Sequence, residues 1–273
     1  MIRIGTSGFS FEDWRGTIYP DNLPSRDNLV YYQEHLGFDC VEINATYYTL
    51  LSDRSFAGME GKTGPGFEFV VKGFRGITHD PFDKRLAERQ PGQGAAVENM
   101  ERFIYSLRPL KEKNKLGAVL LQFPVFFYPA KQSAEYLLLC RERFGDIPLV
   151  IEFRNRAWAR QETFAFLRAH HLAYCAVDEP RLPRLMPFLN EVTSDIGYVR
   201  FHGRNPNWFN APVAERYNYL YSDEELAAFL PEIERMQKKA RKTYVFFNNC
   251  HAGFAVKNAL ALLKLLGTEK GEE

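Results

Sequence analysis

The stretch that indicates both the fold and the site reads Tyr198-Val199-Arg200-Phe201-His202-Gly203-Arg204-Asn205. Its β-branched and aromatic residues alternate with Arg200 and His202, and the run breaks at Gly203, as a strand does at its end. Residues two apart lie on one face of a strand, so Arg200 and His202 are expected to point to the same side. We therefore predict a strand that carries two polar side chains toward its C-terminal end.

Further stretches of this kind recur along the chain, making about eight predicted strands in all. They cover residues 2–6, 40–44, 67–72, 118–122, 149–153, 172–177, 197–202 and 244–248. Their nearly continuous apolar content is typical of strands that are buried on both faces, as in a parallel sheet.

Helical patterns lie between most of these strands. They cover residues 25–36, 97–110, 131–144, 161–170, 226–233 after a capping box at 222–225, and 254–266. The connection after Asp178 has no clear helix. The alternation predicts one TIM-like (β/α)8 barrel domain over residues 1–273. The alternative is a doubly wound sheet, which is disfavoured because Gly5-Thr6-Ser7-Gly8 matches neither a dinucleotide-binding nor a P-loop motif.

Composition and charge exclude several classes of protein. The 273 residues carry 35 basic and 34 acidic side chains, which gives a net charge of +1. No overall electrostatic field therefore indicates binding to nucleic acid or to a membrane surface. The chain enters a strand without the features of an export signal, and no apolar run approaches the roughly 18 residues of a membrane span. Cys40, Cys140, Cys175 and Cys250 are widely spaced, which favours buried free thiols. We expect a cytoplasmic protein without membrane contact.

Polar residues stand at the C-terminal ends of most predicted strands, where barrels build their sites. They are Glu42, Asn44, Lys72, Gln122, Glu152, Arg154, Asp178, Arg200, His202, Asn248 and Asn249. His202 suits a general acid or base, and Glu42 and Glu152 are the accompanying carboxylates, so these three are the predicted catalytic residues. The alternative is an ion-pair layer, for instance Glu152 with Arg200, that fills the barrel and has no chemical role.

The basic residues of this group predict an anionic ligand. Lys72, Arg154 and Arg200 leave positive charge beside the carboxylates, and arginine suits a phosphate ester or a carboxylate. The same cations would repel a metal ion, and the sequence has no HxH or HExxH spacing, so neither an obligatory metal nor another cofactor is implied. The side chains predicted to orient the ligand are Asn44, Gln122 and Asn248.

Three long connections are predicted to leave the same end of the barrel, at residues 7–24, 73–96 and 203–221. Loops of this length are usually functional, so they are candidate lids whose aromatic side chains either stack on a ligand or pack onto the rim. Backbone amides at the helix after residues 248–253 are a candidate phosphate site, with an ordinary turn as the alternative. The further candidate ligand contacts are Trp14, Tyr47, His79, Arg204 and Asn249.

Ordered sequence blocks extend along the whole chain. They include Gly5-Thr6-Ser7-Gly8-Phe9, Tyr19-Pro20, Val41-Glu42-Ile43-Asn44, Thr46-Tyr47-Tyr48, Thr78-His79, Leu121-Gln122-Phe123-Pro124, Glu152-Phe153-Arg154, Tyr198-Val199-Arg200-Phe201-His202-Gly203-Arg204 and Phe247-Asn248-Asn249. The chain thereby resembles the domain of unknown function 72 family, also called YecE-like. It departs from that family at Phe9, where tryptophan is common, and at Arg156-Ala157, where His-Ser often stands. The resemblance implies a TIM-like barrel without an established activity; its fold is similar to those of endonuclease IV and the xylose isomerases, which transfers no residue roles.

Three functions are compatible with these residues. The favoured one is an enzyme, of hydrolase or isomerase type, that binds a small anionic, phosphorylated or polyhydroxylated ligand and uses acid–base chemistry. The second is a nucleic-acid-binding or processing protein with an endonuclease IV-like barrel, in which aromatic side chains stack on bases. Its predicted phosphate contacts are Lys72, Arg181, Arg184, Arg204 and Arg216. The third is a non-catalytic ligand-binding scaffold.

Overall fold

Eight parallel strands form a ring around which the rest of the chain is wound. They are β1 (Ile2–Thr6), β2 (Cys40–Ile43), β3 (Glu68–Lys72), β4 (Leu116–Phe123), β5 (Leu149–Phe153), β6 (Ala173–Asp178), β7 (Ile196–Phe201) and β8 (Lys242–Phe247). This computed structural model describes residues 1–89, 93–208 and 212–267, and its strands follow the order β1-β8-β7-β6-β5-β4-β3-β2. Because β8 lies beside β1 and the order never reverses, the predicted barrel is confirmed and the doubly wound sheet is excluded.

Helices connect the strands around the outside of the barrel. They are α1 (Asn28–Glu34), α2 (Asp53–Glu60), α3 (Arg75–Thr78), α4 (Gln93–Ser106), α5 (Arg108–Glu112), α6 (Lys131–Phe144), α7 (Gln161–Ala169), α8 (Val213–Arg216), α9 (Asp223–Ala227), α10 (Leu230–Lys239) and α11 (Phe254–Leu265). The capping box between Ser222 and Glu225 is present at the start of α9. Residues 179–195, between β6 and β7, contain no helix, as predicted.

Charged residues fill the N-terminal end of the barrel. The Glu68 carboxylate lies 3.1 Å from Arg3 Nε and 2.6 Å from Lys242 Nζ, and it accepts a hydrogen bond from the Tyr244 hydroxyl. These partners satisfy the buried charges at this end. The C-terminal ends of the strands are therefore where a ligand site is to be sought.

The ring closes at a seam between β1 and β2, where the two strands are joined by a bridge between Ser7 and Glu42 rather than by a ladder. The hydroxyl of Tyr32, from α1, lies in this seam. It accepts a hydrogen bond from the Thr6 backbone amide at 2.9 Å and donates one to the Cys40 carbonyl at 3.2 Å. A side-chain hydroxyl thus takes the place of a direct bond between the two strands.

We expect Tyr32→Phe to lower the free energy of unfolding by about 1–3 kcal/mol, because it leaves a buried backbone amide and carbonyl without their partner. Chemical denaturation measures this change. The neighbouring Tyr31→Phe is the matched control, since the Tyr31 hydroxyl makes no hydrogen bond within the described residues and its ring stacks on His35. Equal losses in the two variants would show that the seam does not depend on the Tyr32 hydroxyl.

The cysteines and the helix lengths agree with the sequence-based expectations. Cys40, Cys140, Cys175 and Cys250 are free and buried, and burial raises the pKa of all four thiols. In residues 1–89, 93–208 and 212–267, no helix is long and apolar enough to cross a bilayer.

Candidate functional site

A cavity of about 870 Å³ opens at the C-terminal ends of the strands. This volume lies within the range of small-molecule sites, which is roughly 300–1,000 Å³. Many of the predicted ligand contacts line it. They are Asn44, Tyr47, Lys72, His79, Gln122, Arg154 and Asn248. The structure therefore brings together side chains from five strand ends and two connections.

The three long connections surround the mouth of this cavity, as predicted. The first contributes Glu12 and Asp13, the second contributes His79, and the third contributes Trp208 and Tyr217. The rings of Trp208 and Tyr217 meet edge to face at 5.3 Å. Aromatic and polar walls thus alternate around the opening, and the lid function of these connections stays a prediction.

A buried arginine lies beneath the cavity, paired with two carboxylates. Arg200 Nη2 is 2.6 Å from Glu42 Oε1, and Arg200 Nη1 is 2.7 Å from Glu152 Oε2. The Tyr198 hydroxyl donates a third hydrogen bond, at 2.6 Å, to Glu42 Oε2. All three charged side chains are 0% exposed, so the ion pair between Glu152 and Arg200 that the sequence suggested is present and enclosed.

The charge of Glu152 is fixed by its neighbours. Burial opposes ionisation of this carboxyl group, but the charges of Arg200 and Arg154 outweigh burial and hold its pKa well below the usual range. Burial likewise opposes the charge of Arg200, and Glu42 and Glu152 reverse that effect, so its pKa is raised. Glu152 and Arg200 are therefore both charged at neutral pH.

Arg154 joins this network to the cavity. Its Nε lies 2.6 Å from Glu152 Oε1, its Nη1 pairs with Glu179, and its guanidinium lies 5.7 Å from the centre of the Trp208 ring. Its Nη2 makes no hydrogen bond with any of the described residues, and the side chain lines the cavity. One donor of Arg154 thus has no partner among the described residues, on a side chain that lines the cavity.

Glu179 is a site residue that the sequence analysis did not identify. It directly follows Asp178, the last residue of β6, and it is buried against Arg154 and the backbone amide of Met186. Burial raises its pKa to about 7; Arg154 opposes this rise, but its charge is shared with Glu152. Its position two residues past the end of the predicted strand 172–177 was the available signal.

His202 lies below the cavity and does not line it. Its Nδ1 is 2.9 Å from Asn248 Nδ2, and its Nε2 is 3.4 Å from Glu152 Oε1. Burial lowers its pKa well below the usual range, and the charges of Arg154 and Arg200 add to this, so the ring is neutral. The predicted catalytic roles of His202, Glu42 and Glu152 stay predictions, because all three side chains are enclosed and none lines the cavity.

Lys72 differs from Arg154 because its side chain has no polar partner among the described residues. Its Nζ makes no hydrogen bond or ion pair with any residue that the structure describes, and it lies 4.7 Å from the centre of the Tyr47 ring. Burial lowers its pKa to about 7, and the nearby charges of Arg200 and Arg154 contribute. Near pH 7 the amine is therefore about half protonated.

His79 and Gln122 complete the wall beside Lys72. The Nδ1 of His79 is hydrogen-bonded to Thr78 Oγ1 at 2.9 Å, and its ring meets that of Tyr47 edge to face at 4.9 Å. Burial lowers its pKa to about 3, aided by the charge of Lys72, so it is neutral. The side-chain amide of Gln122 has no hydrogen-bond partner within the described part of the chain. The wall thus offers a neutral ring and a free amide.

Four predicted ligand contacts lie outside the cavity. Arg200 is buried beneath it, and Trp14 is buried with its Nε1 donating to the Cys250 carbonyl at 2.8 Å. Arg204 pairs with Asp178 at 2.8 Å and with Glu225, while Asn249 donates to Asn258 at 2.8 Å. In the structure the side chains of Trp14, Arg204 and Asn249 hold the connections against the rim of the barrel.

An acidic side chain lies close to the helix N-terminus that is a candidate phosphate site, and that site stays a prediction. The Ala252 backbone amide, just before α11, donates to the Asp13 carboxylate at 2.7 Å. Nearby, the Cys250 thiol lies 3.5 Å from the Ser7 carbonyl. Over residues 1–89, 93–208 and 212–267, no group of three or more His, Cys, Asp or Glu side chains is placed to hold a metal ion.

Similarity to known proteins extends over the whole chain. It is 32% identical to the UPF0759 protein YunF of Bacillus subtilis, over 98% of this chain and 96% of that protein. It is 44% identical to a DUF72 family protein of Thermotoga maritima, whose crystal structure matches with a TM-score of 0.88 over 98% of this chain and 99% of that one. An L-ribulose 3-epimerase matches over 100% of both chains at 14% identity with a TM-score of 0.53, which shows likeness of fold alone. The pattern of the family described as "Protein of unknown function DUF72" matches residues 3–273, and the chain therefore belongs to this family.

Proposed function

We propose that the barrel mouth is the active site of an enzyme that binds a small anionic, polyhydroxylated molecule and transfers a proton to or from it through Lys72. The observation that carries this proposal is the unpartnered Nζ of Lys72 on the wall of the cavity. An amine that titrates near neutral pH serves as a base when neutral and as an acid when protonated. A half-buried lysine that lines a cavity and has a perturbed pKa is a candidate functional residue.

The unused hydrogen-bond donors support an anion as the ligand. The carboxylates of Glu42, Glu152 and Glu179 are already bound by arginine side chains, whereas Lys72 Nζ and Arg154 Nη2 have no such partners among the described residues. A phosphate or carboxylate group between these two donors would satisfy both. It would also place a negative charge beside the Lys72 ammonium and favour its protonated form.

The neighbouring amides and rings suit hydroxyl groups and a flat face. Asn44 Oδ1 is buried without a hydrogen-bond partner among the described residues, and Gln122 adds a free amide. Trp208 and Tyr217 add aromatic surface to the lining of the cavity, on which a sugar-like molecule can stack. These contacts are the basis for proposing a polyhydroxylated ligand.

The enclosed network has a positioning role in this proposal. Glu152 holds Arg154 through its Nε, and Arg200 holds Glu152 from below. His202 and Asn248 contact each other above that layer, and Asn248 accepts from Asn44 at 3.2 Å. Glu42, Glu152 and His202 would thus fix the cavity-facing groups, which catalysis requires to be held within narrow limits.

Sulfate is the probe for this proposal because it does not titrate between pH 6 and 9. We expect its affinity to fall by up to about tenfold per pH unit above pH 8, because the protonated fraction of Lys72 falls by that factor above its pKa. The Lys72→Arg variant keeps a permanent charge and should lose most of this pH dependence. Glu179, which also titrates near pH 7, accounts for the dependence that remains. Isothermal titration calorimetry measures both affinities.

The control for this experiment is Lys131→Arg, since the Lys131 side chain is 90% exposed and lies on α6. This variant should behave as the unmodified protein. Absence of sulfate binding at any pH would contradict the anion site. Tight binding of single-stranded or duplex DNA that weakens steeply with salt, without sulfate binding, would favour the nucleic-acid alternative instead.

A further inference from the structure

We propose that Lys72 also acts as a nucleophile, forming an imine with a carbonyl carbon of the anionic ligand. This inference rests on the proposed function, because it requires the same cavity to bind that ligand. It assigns a narrower substrate class, namely small aldehydes and ketones that carry a carboxylate or a phosphate.

The surroundings of Lys72 differ from those of the other inward-facing lysines. Lys115 is bound by Glu60 and by the carbonyl and hydroxyl oxygens of Thr63, and Lys242 is bound by Glu68. Lys72 is the one lysine, among the residues described, that lines the cavity, and it has none of these contacts. Its nitrogen is therefore available to a carbon atom in the cavity.

The charged groups around Lys72 favour a neutral amine. Arg200 and Arg154 repel its ammonium form, and the carboxylates of Glu42 and Glu152, which would attract it, are held by those arginines. The remaining titratable neighbours are two rings, the phenol of Tyr47 and the neutral imidazole of His79. The nucleophilic form of Lys72 is thus well populated near pH 7.

The covalent step is a condensation that needs neither an oxidant nor a reductant. The Lys72 Nζ lone pair attacks the carbonyl carbon, a C–N bond forms, and the C=O π electrons move to oxygen. A proton passes from nitrogen to that oxygen and gives a carbinolamine. After solvent supplies a second proton to the hydroxyl group, the C–O bond breaks, water leaves, and the nitrogen lone pair completes the C=N bond of a protonated imine. Loss of its N–H proton to solvent gives the neutral imine.

The two donors belong to side chains that line one cavity. We therefore assign the anionic group and the carbonyl to a single molecule, bound by Arg154 and Lys72. The free amide of Gln122, on the neighbouring strand β4, is placed for an oxygen atom of that molecule. Carboxylated or phosphorylated carbonyl compounds of a few carbon atoms match these features.

Glyoxylate with sodium cyanoborohydride tests the inference, because reduction of its imine leaves a carboxymethyl group on the reacting lysine. Peptide mapping by mass spectrometry should find Lys72 modified at least tenfold faster than the exposed Lys131 at pH 7, since an ordinary lysine with a pKa near 10.4 is almost fully protonated there. Sulfate should slow the modification of Lys72 and leave that of Lys131 unchanged. The Lys131→Arg variant should retain the fast modification.

The possible outcomes distinguish failure of the imine proposal from failure of the proposed anion site. If sulfate binds but Lys72 reacts no faster than Lys131, the imine is refuted while the anion site stands. If sulfate neither binds nor protects Lys72, the proposed function fails as well. Lys72→Arg should abolish the fast modification. If that variant does not fold, the comparison of Lys72 with Lys131 in the peptide map of the wild-type protein still tests the imine.

Discussion

Replacing Arg200 by methionine should lower the free energy of unfolding by about 3–5 kcal/mol at pH 7, because it leaves two carboxylates buried without the charge that compensates them. Among the described residues, Glu42 would keep the Tyr198 hydroxyl as its hydrogen-bond donor, and Glu152 would keep Arg154. Chemical denaturation followed by circular dichroism measures the change. This is the largest stability effect that we expect from a single substitution in the site.

The pH dependence of this loss has a definite sign. The pKa of Glu152 is depressed in the folded protein, so its ionic contribution to stability is present above its unfolded pKa, near 4.5, and is lost as the pH falls through the folded pKa. In Arg200→Met the buried carboxyl groups can take up protons instead. The difference between the two proteins should therefore shrink as the pH is lowered toward about 4.

Two further variants serve as controls for Arg200→Met. Arg168→Met removes an arginine that is 46% exposed from its pair with Glu191, and it should cost at most about 1 kcal/mol. The double variant Arg200→Met with Glu152→Gln removes one of the stranded charges and should recover part of the loss. Equal losses in Arg200→Met and Arg168→Met would contradict the view that the network is desolvated.

Replacing Lys72 by methionine should reduce the proposed proton transfer by about 10²–10⁴-fold, the usual contribution of a general acid or base. The probes are pyruvate and dihydroxyacetone phosphate in D₂O, and loss of the C–H signals beside the carbonyl group measures exchange by NMR. Lys72→Arg should lose exchange to a similar extent, because a guanidinium stays protonated. It should nevertheless keep its affinity for sulfate.

The matched control is Lys131→Met, which removes a lysine from the exposed face of α6 and should leave exchange unchanged. A wild-type rate that survives in Lys72→Met would assign the proton transfer to another group. Binding of the probes without any exchange in the unmodified protein would favour the non-catalytic scaffold.

The strands of the barrel were predictable because each is a short apolar run that is buried on both faces. Every predicted strand lies within two residues of its observed bounds, and β5 is buried at each of its positions. The short helix α2 was missed because Phe56 is its one buried residue, which leaves no periodic apolar stripe to detect.

The seam between β1 and β2 could not be predicted from local patterns. It depends on Tyr32 reaching across from α1, and on Gly5, where an added Cβ would lie 2.4 Å from the Cys40 carbonyl. Nothing in the sequence near either residue indicates this approach. Both belong to contacts between segments that are distant along the chain.

The sequence predicted which strand ends contribute to the site. It did not predict which of their side chains reach the cavity wall and which lie below it. Alternation along β7 correctly placed Arg200 toward the interior, yet only its pairing with Glu42 and Glu152 shows that it lies below the cavity and not on its wall. Arg204 follows the same strand and is held by Asp178 instead. Which residue a charged side chain pairs with depends on the tertiary fold. The sequence therefore could not show that Lys72 has no polar partner among the described residues.

Direct titration of the Lys72 amine by NMR, with lysine labelled at Cε and Nζ and assigned through Lys72→Arg, is the decisive test of the proposed anion site and of its lysine chemistry. We predict a midpoint at about pH 7 that moves upward when sulfate is bound, because an anion favours the charged amine. A midpoint near the ordinary value of about 10.4, unchanged by sulfate, would contradict both the anion site and the chemistry proposed for it.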